Sequence, residues 1–198
     1  MSIWATCSRL LVAGLILAPA WGPAEVLAQL SLQESIAHAF PPPAVVERRT
    51  AFLTPDDLAA ISSAAGADVP VSQRVVTYYL AKRNGIPVGV AYFDSHRVRT
   101  LNEVVMIVVE PPDSAGRPDR IRSIEVLRFA EPPEYHARDA WLEQFKGKSL
   151  SAELSLKRSI ANMTGATLTS NAIVRAARRV LATHQRLRPF ATSAGRAP

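Results

Sequence analysis

Four hydroxyl side chains fall within seven residues at Thr164-Gly165-Ala166-Thr167-Leu168-Thr169-Ser170, and the segment runs straight into an expected helix. A helix start offers backbone N–H groups that lack intrahelical acceptors, together with the positive end of the helix dipole. Gly165 lets the backbone turn sharply and approach a ligand closely. Such a place suits an anion, and a phosphate group above all. A purely structural role uses the same residues: Thr169 or Ser170 caps the helix while the other hydroxyls close local turns. Composition and spacing leave both readings open.

Other residues that could do chemistry give weaker signals. The histidines His38, His96, His136 and His184 are scattered without metal-ligand spacing, and no Ser, His and Asp arrangement stands out. Surface or structural roles are expected for them. Asp56-Asp57 follow Thr54-Pro55 and are explained by the electrostatics of a helix start rather than by acid–base catalysis. No G-x-G-x-x-G nicotinamide fingerprint is present.

The segment Thr164 to Ser170 resembles the S/T-G-A-T motif of the FMN-binding domain family, whose members include the FMN-carrying subunits of sodium-pumping and Rnf-type redox complexes. The similarity extends upstream through Glu131-Pro132, Glu134-Tyr135, Trp141, Gln144-Phe145 and Lys146-Gly147-Lys148, and back to Gly89. In that family a separate flavin transferase joins the last threonine of the motif to the FMN phosphate as a phosphodiester. The resemblance therefore implies Thr167 as the attachment site, with Thr164, Gly165, Ala166, Leu168, Thr169 and Ser170 shaping the pocket. A phosphodiester keeps a negative charge beside the helix start, and a tether retains a small cofactor outside the cell.

One departure from the family pattern stands out. The transferase recognition pattern carries aspartate three residues before the S/T of the motif, where this chain has Ala161 followed by Asn162. That implies slower attachment or none, with noncovalent FMN as the fallback. Lys146 and Lys148 could balance the phosphate or an anionic reduced flavin, or form a solvated basic turn. Tyr135 and Trp141 could stack on the isoalloxazine ring, although aromatics at helical spacing more often line a core.

The elements that must position these residues can be read from periodicity. Leu30 to Phe40 has helical spacing and stops at Pro41-Pro42-Pro43, which reads as a rigid link. Thr54-Pro55-Asp56-Asp57 starts a short helix that ends at Gly66. Arg74 to Lys82, Val88 to Asp94, Leu101 to Glu110 and Ile121 to Phe129 are expected strands, separated by turn signals and joined as a meander. Helices are expected over Pro133 to Phe145, Leu150 to Ile160 and about Ser170 to Leu187. The last places Ile173, Ala176, Ala177, Val180, Leu181 and Leu187 on one face, with Arg175, Arg178, Arg179 and Arg186 mostly off it. One side would dock and the other would be basic. The expected fold class is α+β, a small antiparallel sheet of about four strands with helices packed on one face.

The N-terminus sets the expected compartment. Arg9 precedes the apolar run Leu10 to Trp21, which is followed by Val26-Leu27-Ala28, a small-x-small cleavage pattern. The run is broken by Pro19 and is shorter than the roughly 20 residues that span a bilayer. A signal peptide over 1–28 is expected, followed by an N-terminal helical segment over 29–70, an FMN-binding domain over 71–187 and a flexible tail over 188–198. Cleavage would remove Cys7, the only cysteine, and with it every disulfide, thiolate, iron–sulfur and C-x-x-C-H haem chemistry. It would also remove one Arg and one Glu, leaving the net charge of +6 unchanged.

Together these features lead to the expectation of an exported flavoprotein, in the periplasm or on the outer face of the cytoplasmic membrane, carrying FMN on Thr167. It would pass electrons between a membrane redox complex and another carrier, after maturation by a flavin transferase and without a nucleic-acid partner. A carrier is expected more than a stand-alone oxidoreductase. The alternatives are a flavin-free basic module docking on a membrane or an acidic partner, and an FMN-dependent reductase of a small substrate.

Overall fold

The computed structural model describes residues 32–191 of the chain. The expected signal peptide with Cys7, and most of the expected tail, lie outside the described residues. Helix α1 spans 32–39, followed by β1 (Val45–Phe52), α2 (Pro55–Ala65), β2 (Val75–Arg83), β3 (Ile86–Arg97), β4 (Asn102–Glu110) and β5 (Arg120–Phe129). A 3₁₀ turn (Pro133–Tyr135), the short α3 (Asp139–Leu142), a second 3₁₀ turn (Glu143–Phe145) and the long α4 (Thr167–Leu187) complete it. The fold class is α+β, as the sequence implies.

The sheet is a pure antiparallel meander in the order β1-β2-β3-β4-β5. Its register sets Tyr78 opposite Tyr92 and Tyr92 opposite Ile107. β4 reads Val104-Val105-Met106-Ile107-Val108-Val109, a continuous apolar run, because both faces of that strand are covered. Val105, Ile107 and Val109 join Leu80, Val90 and Tyr92 under Ile173, Ala177, Val180 and Leu181 of α4. On the opposite face, Met106 and Val108 pack with Ala81 and Ala91 against Ile36 and Phe40 at the end of α1.

Three expectations need correction. The sheet has a fifth strand, β1, inside the stretch 29–70 expected to be helical; it pairs with β2 from Val45↔Lys82 to Phe52↔Val75. Helices also cover both faces of the sheet rather than one. Finally, Leu150 to Ile160 forms bends and turns, and Pro133 to Phe145 forms a 3₁₀ turn and then the short α3 running directly into a second 3₁₀ turn, instead of two continuous helices. The Arg178 guanidinium holds the 150–160 segment open, donating to the Ser151 and Leu154 carbonyls at 2.8 and 3.1 Å.

Other local signals hold. Thr54 caps α2 with a reciprocal pair of bonds: its hydroxyl accepts the Asp57 N–H at 3.1 Å, and the Asp57 carboxylate accepts the Thr54 N–H at 2.8 Å. Gly89 is required for packing. A Cβ there would lie 2.7 Å from the Phe40 ring, so the missing side chain makes room for the residue that ends α1.

Candidate functional site

α4 begins at Thr167 with Ala166 as its N-cap, and no side chain closes that end. Neither Thr169 nor Ser170 caps it. The Ser170 hydroxyl donates back to the Ala166 carbonyl at 3.1 Å and accepts the Met163 N–H at 3.2 Å. The Thr169 hydroxyl donates to the Tyr135 carbonyl at 2.8 Å. The first helical bond runs from the Ser170 N–H to the Ala166 carbonyl, so the N–H groups of Thr167, Leu168 and Thr169 precede the helical ladder. The first turn of α4 contains no acid, whereas that of α2 holds Asp56 and Asp57. One helix start is closed by its own residues; the other retains an uncompensated positive end.

Thr164, Gly165, Thr167 and Leu168 are exposed, while Ala166, Thr169 and Ser170 are buried. Gly165 adopts φ +81°, a conformation that favours glycine, and the space beside it is open. Thr167 presents its hydroxyl at the surface, where Asn162 Nδ2 donates to Thr167 Oγ1 at 2.9 Å. The hydroxyl keeps its own proton to donate.

Residues upstream fasten this loop. Trp141 is a core residue whose indole N–H donates to the Ala161 carbonyl at 2.6 Å. The Gln144 side-chain oxygen accepts the Ala161 N–H at 2.8 Å. Trp141 and Gln144 thus hold the backbone entering the motif, and Trp141 stacks edge-on against the buried Phe145 rather than facing the loop.

In front of the helix start lies a cleft of about 230 Å³ lined by Val98, Arg99, Glu131, Tyr135 and Gly165 to Thr169. Three pieces of chain meet there: the β3–β4 hairpin, the 3₁₀ turn after β5, and the motif. Glu131 fastens the hairpin. Its Oε1 accepts the N–H groups of Arg99, Thr100 and Leu101 at 3.2, 2.7 and 2.8 Å, and the Thr100 hydroxyl at 3.3 Å. These donors, Leu101 foremost, hold the Glu131 carboxyl below its ordinary range and keep it ionised. The Arg99 guanidinium sits over the Tyr135 ring, 5.8 Å from its centroid.

Lys146 and Lys148 do not line the cleft. They flank Gly147 in a turn tied to β5, where Gly147 N–H meets the Ile121 carbonyl at 2.8 Å and Ile121 N–H meets the Lys148 carbonyl at 2.8 Å. The cation at the cleft is Arg99, which sequence reading passed over. The only available signal was its place in a hairpin turn, and hairpin turns do not announce what they face.

A larger cavity of about 900 Å³ opens at the far end of α4 and includes Arg49, Asp57, Tyr78, Arg186 and Arg188. Two of its arginines are spoken for: Arg49 pairs with Glu47 and Arg186 with Asp57. It shares no residue with the motif or with the smaller cleft.

Residues 114–182 match the family model of the FMN-binding domain. That stretch, about a third of the chain, is similar to the FMN-binding domain family. The match includes Glu131, Tyr135 and the whole motif, and it excludes the hairpin that carries Arg99. No curated protein and no solved structure gives a match.

The residues present fit FMN. A phosphate group meets free N–H groups and a dipole end unopposed by any acid in the first turn. A flat ring system would find Tyr135, Val98 and the half-exposed Leu168 in the cleft lining, with Arg99 to supply positive charge. The cleft is smaller than the roughly 300–1,000 Å³ that encloses a ligand of that size, so part of the cofactor would stay exposed.

Proposed function

We propose that the protein is an exported electron-transfer flavoprotein that carries FMN as a phosphodiester on Thr167, installed by a flavin transferase. The observation that carries this reading is the exposed Thr167 hydroxyl at the uncapped start of α4, inside the matched FMN-binding domain. The shallow cleft supports a covalent tether, since a partly exposed cofactor has too little buried area to be retained well by contacts alone. Bound FMN supplies one- and two-electron transfer. An exposed ring edge suits exchange with a membrane redox complex or another carrier.

The alternative of a basic docking module has less support. The arginines of α4 that suggested a basic face are engaged within the chain: Arg175 with Asp68, Arg178 with backbone carbonyls, Arg179 with Asp94 and Arg186 with Asp57. Among the described residues, no helix is long and apolar enough to cross a membrane.

The test is the intact mass of the mature protein coexpressed with a flavin transferase, measured under denaturing conditions beside Thr167→Ala. A gain of one FMN less one water, absent in the variant, is expected. An unmodified mass in both sinks covalent attachment and leaves noncovalent FMN or a flavin-free module.

A further inference from the structure

We infer that Arg99 is the counter-charge to the flavin ring in this cleft and that Glu131 is the residue that positions it; the inference rests on the FMN reading above. Three observations carry it. Arg99 lines the same cleft as Thr167 but arrives from a different part of the fold, the β3–β4 hairpin, which lies outside the matched family stretch. Its guanidinium rests on the Tyr135 ring, and no carboxylate lies within ion-pair distance of it among the described residues. And the turn that bears it is fixed by four hydrogen bonds to a single oxygen of Glu131.

The phosphate does not need Arg99, because the N–H groups at the start of α4 and the helix dipole already serve it. The planar pair of Tyr135 ring and Arg99 guanidinium instead offers a flat, positively charged wall, which matches an aromatic ring that gains negative charge on reduction. A cation near that ring favours the reduced form and raises its reduction potential.

Glu131 makes the sign of the effect diagnostic. Removing a carboxylate near the flavin would by itself raise the potential, since a negative charge disappears. If Glu131 acts by holding Arg99 in place, removing its charge lowers the potential instead, because the cation is released.

The experiment measures the midpoint potential of FMN-loaded protein for wild type, Arg99→Gln, Arg99→Lys, Glu131→Gln and the double variant Arg99→Gln/Glu131→Gln. Thermal melting confirms that each is folded. The expected result is a shift to more negative potential in Arg99→Gln, recovery of most of it in Arg99→Lys, a negative shift in Glu131→Gln, and no further negative shift from Glu131→Gln once Arg99 is gone. Wild-type potential in Arg99→Gln, or a positive shift in Glu131→Gln, overturns the inference while leaving the FMN reading intact. A wild-type protein that takes up no FMN overturns both.

Discussion

Arg179 of α4 grips Asp94 of β3 through two hydrogen bonds, Nε to Oδ2 and Nη2 to Oδ1, each 2.7 Å long. The same carboxylate meets His96 Nδ1 at 2.9 Å, and His96 Nε2 meets the fully buried Glu103 at 2.8 Å. Two acids and two bases thus share a site beneath α4. Burial works against the charge on His96, but its bonds to Asp94 and Glu103 outweigh that and raise it to about 9. Burial likewise pushes Asp94 up, but His96 and Arg179 win and bring it down to about 2.

These shifts give the stability a pH profile. The raised His96 contributes fully below its ordinary value of 6.5, and its contribution is lost as pH climbs through about 9. The depressed Asp94 contributes above its ordinary 3.8 and loses that contribution as pH falls through about 2. Melting temperature measured from pH 5 to pH 10 should therefore fall along the alkaline limb, by an amount equivalent to at most about 3–4 kcal/mol at roughly 1.4 kcal/mol per pH unit. His96→Gln should remove that limb. A flat profile in wild type would show that His96 is not charged in the folded protein.

Truncating Asp94 should be costly for a related reason. Asp94→Ala leaves the Arg179 guanidinium and His96 without their shared partner in a largely dry site, and breaking a buried pair from one side costs about 3–5 kcal/mol. Denaturant unfolding of the variant should show that loss with an unchanged slope. A loss below about 1 kcal/mol, the range of exposed pairs, would mean that water screens the cluster.

Gly89→Ala tests the packing of α1 on the far face of the sheet. The added methyl would come within 2.7 Å of the Phe40 ring, so the ring and the end of α1 must shift. Overpacking of this kind costs about 1–3 kcal/mol. Pairing it with Phe40→Leu, which clears the space, should make the second substitution less costly in the Gly89→Ala background than in wild type. Additive unfolding energies would show that the two residues do not meet.

Asn162 has a predicted role in maturation. Its amide holds the Thr167 hydroxyl at 2.9 Å, and Asn162→Ala would free that hydroxyl to rotate. Covalent FMN occupancy, read by intact mass at a fixed time of coexpression, should drop several-fold while the melting temperature stays near wild type, because both residues are exposed. Equal occupancy would show that the bond plays no part in attachment.

Much of the fold was legible because it is local. The four strands from 74 to 129 carry alternating or continuous apolar patterns and strong turn residues, and α2 announces itself through Thr54-Pro55-Asp56-Asp57. β1 escaped notice because an edge strand tolerates charge: Glu47, Arg48 and Arg49 interrupt its apolar pattern, and the proline run ahead of it suggested a link. The 150–160 segment reads as helical by composition, yet its carbonyls are taken by Arg178 from a distant helix, which no local window contains. The site divides the same way. The motif and its helix start lie in consecutive residues, whereas Arg99 joins them only through hairpin closure and a carboxylate more than thirty positions later in the chain.

The order of the elements sets the timing of assembly. Each strand pairs with the one made just before it, so the whole meander can close while α4 is still unmade. Until α4 arrives, the apolar face formed by Leu80, Val90, Tyr92, Val105, Ile107 and Val109 lacks its main cover. The same helix supplies Thr167 at its first turn. Covering the sheet and completing the cleft thus depend on one helix, and a chain truncated before α4 would display a bare sheet face and an unfinished site together.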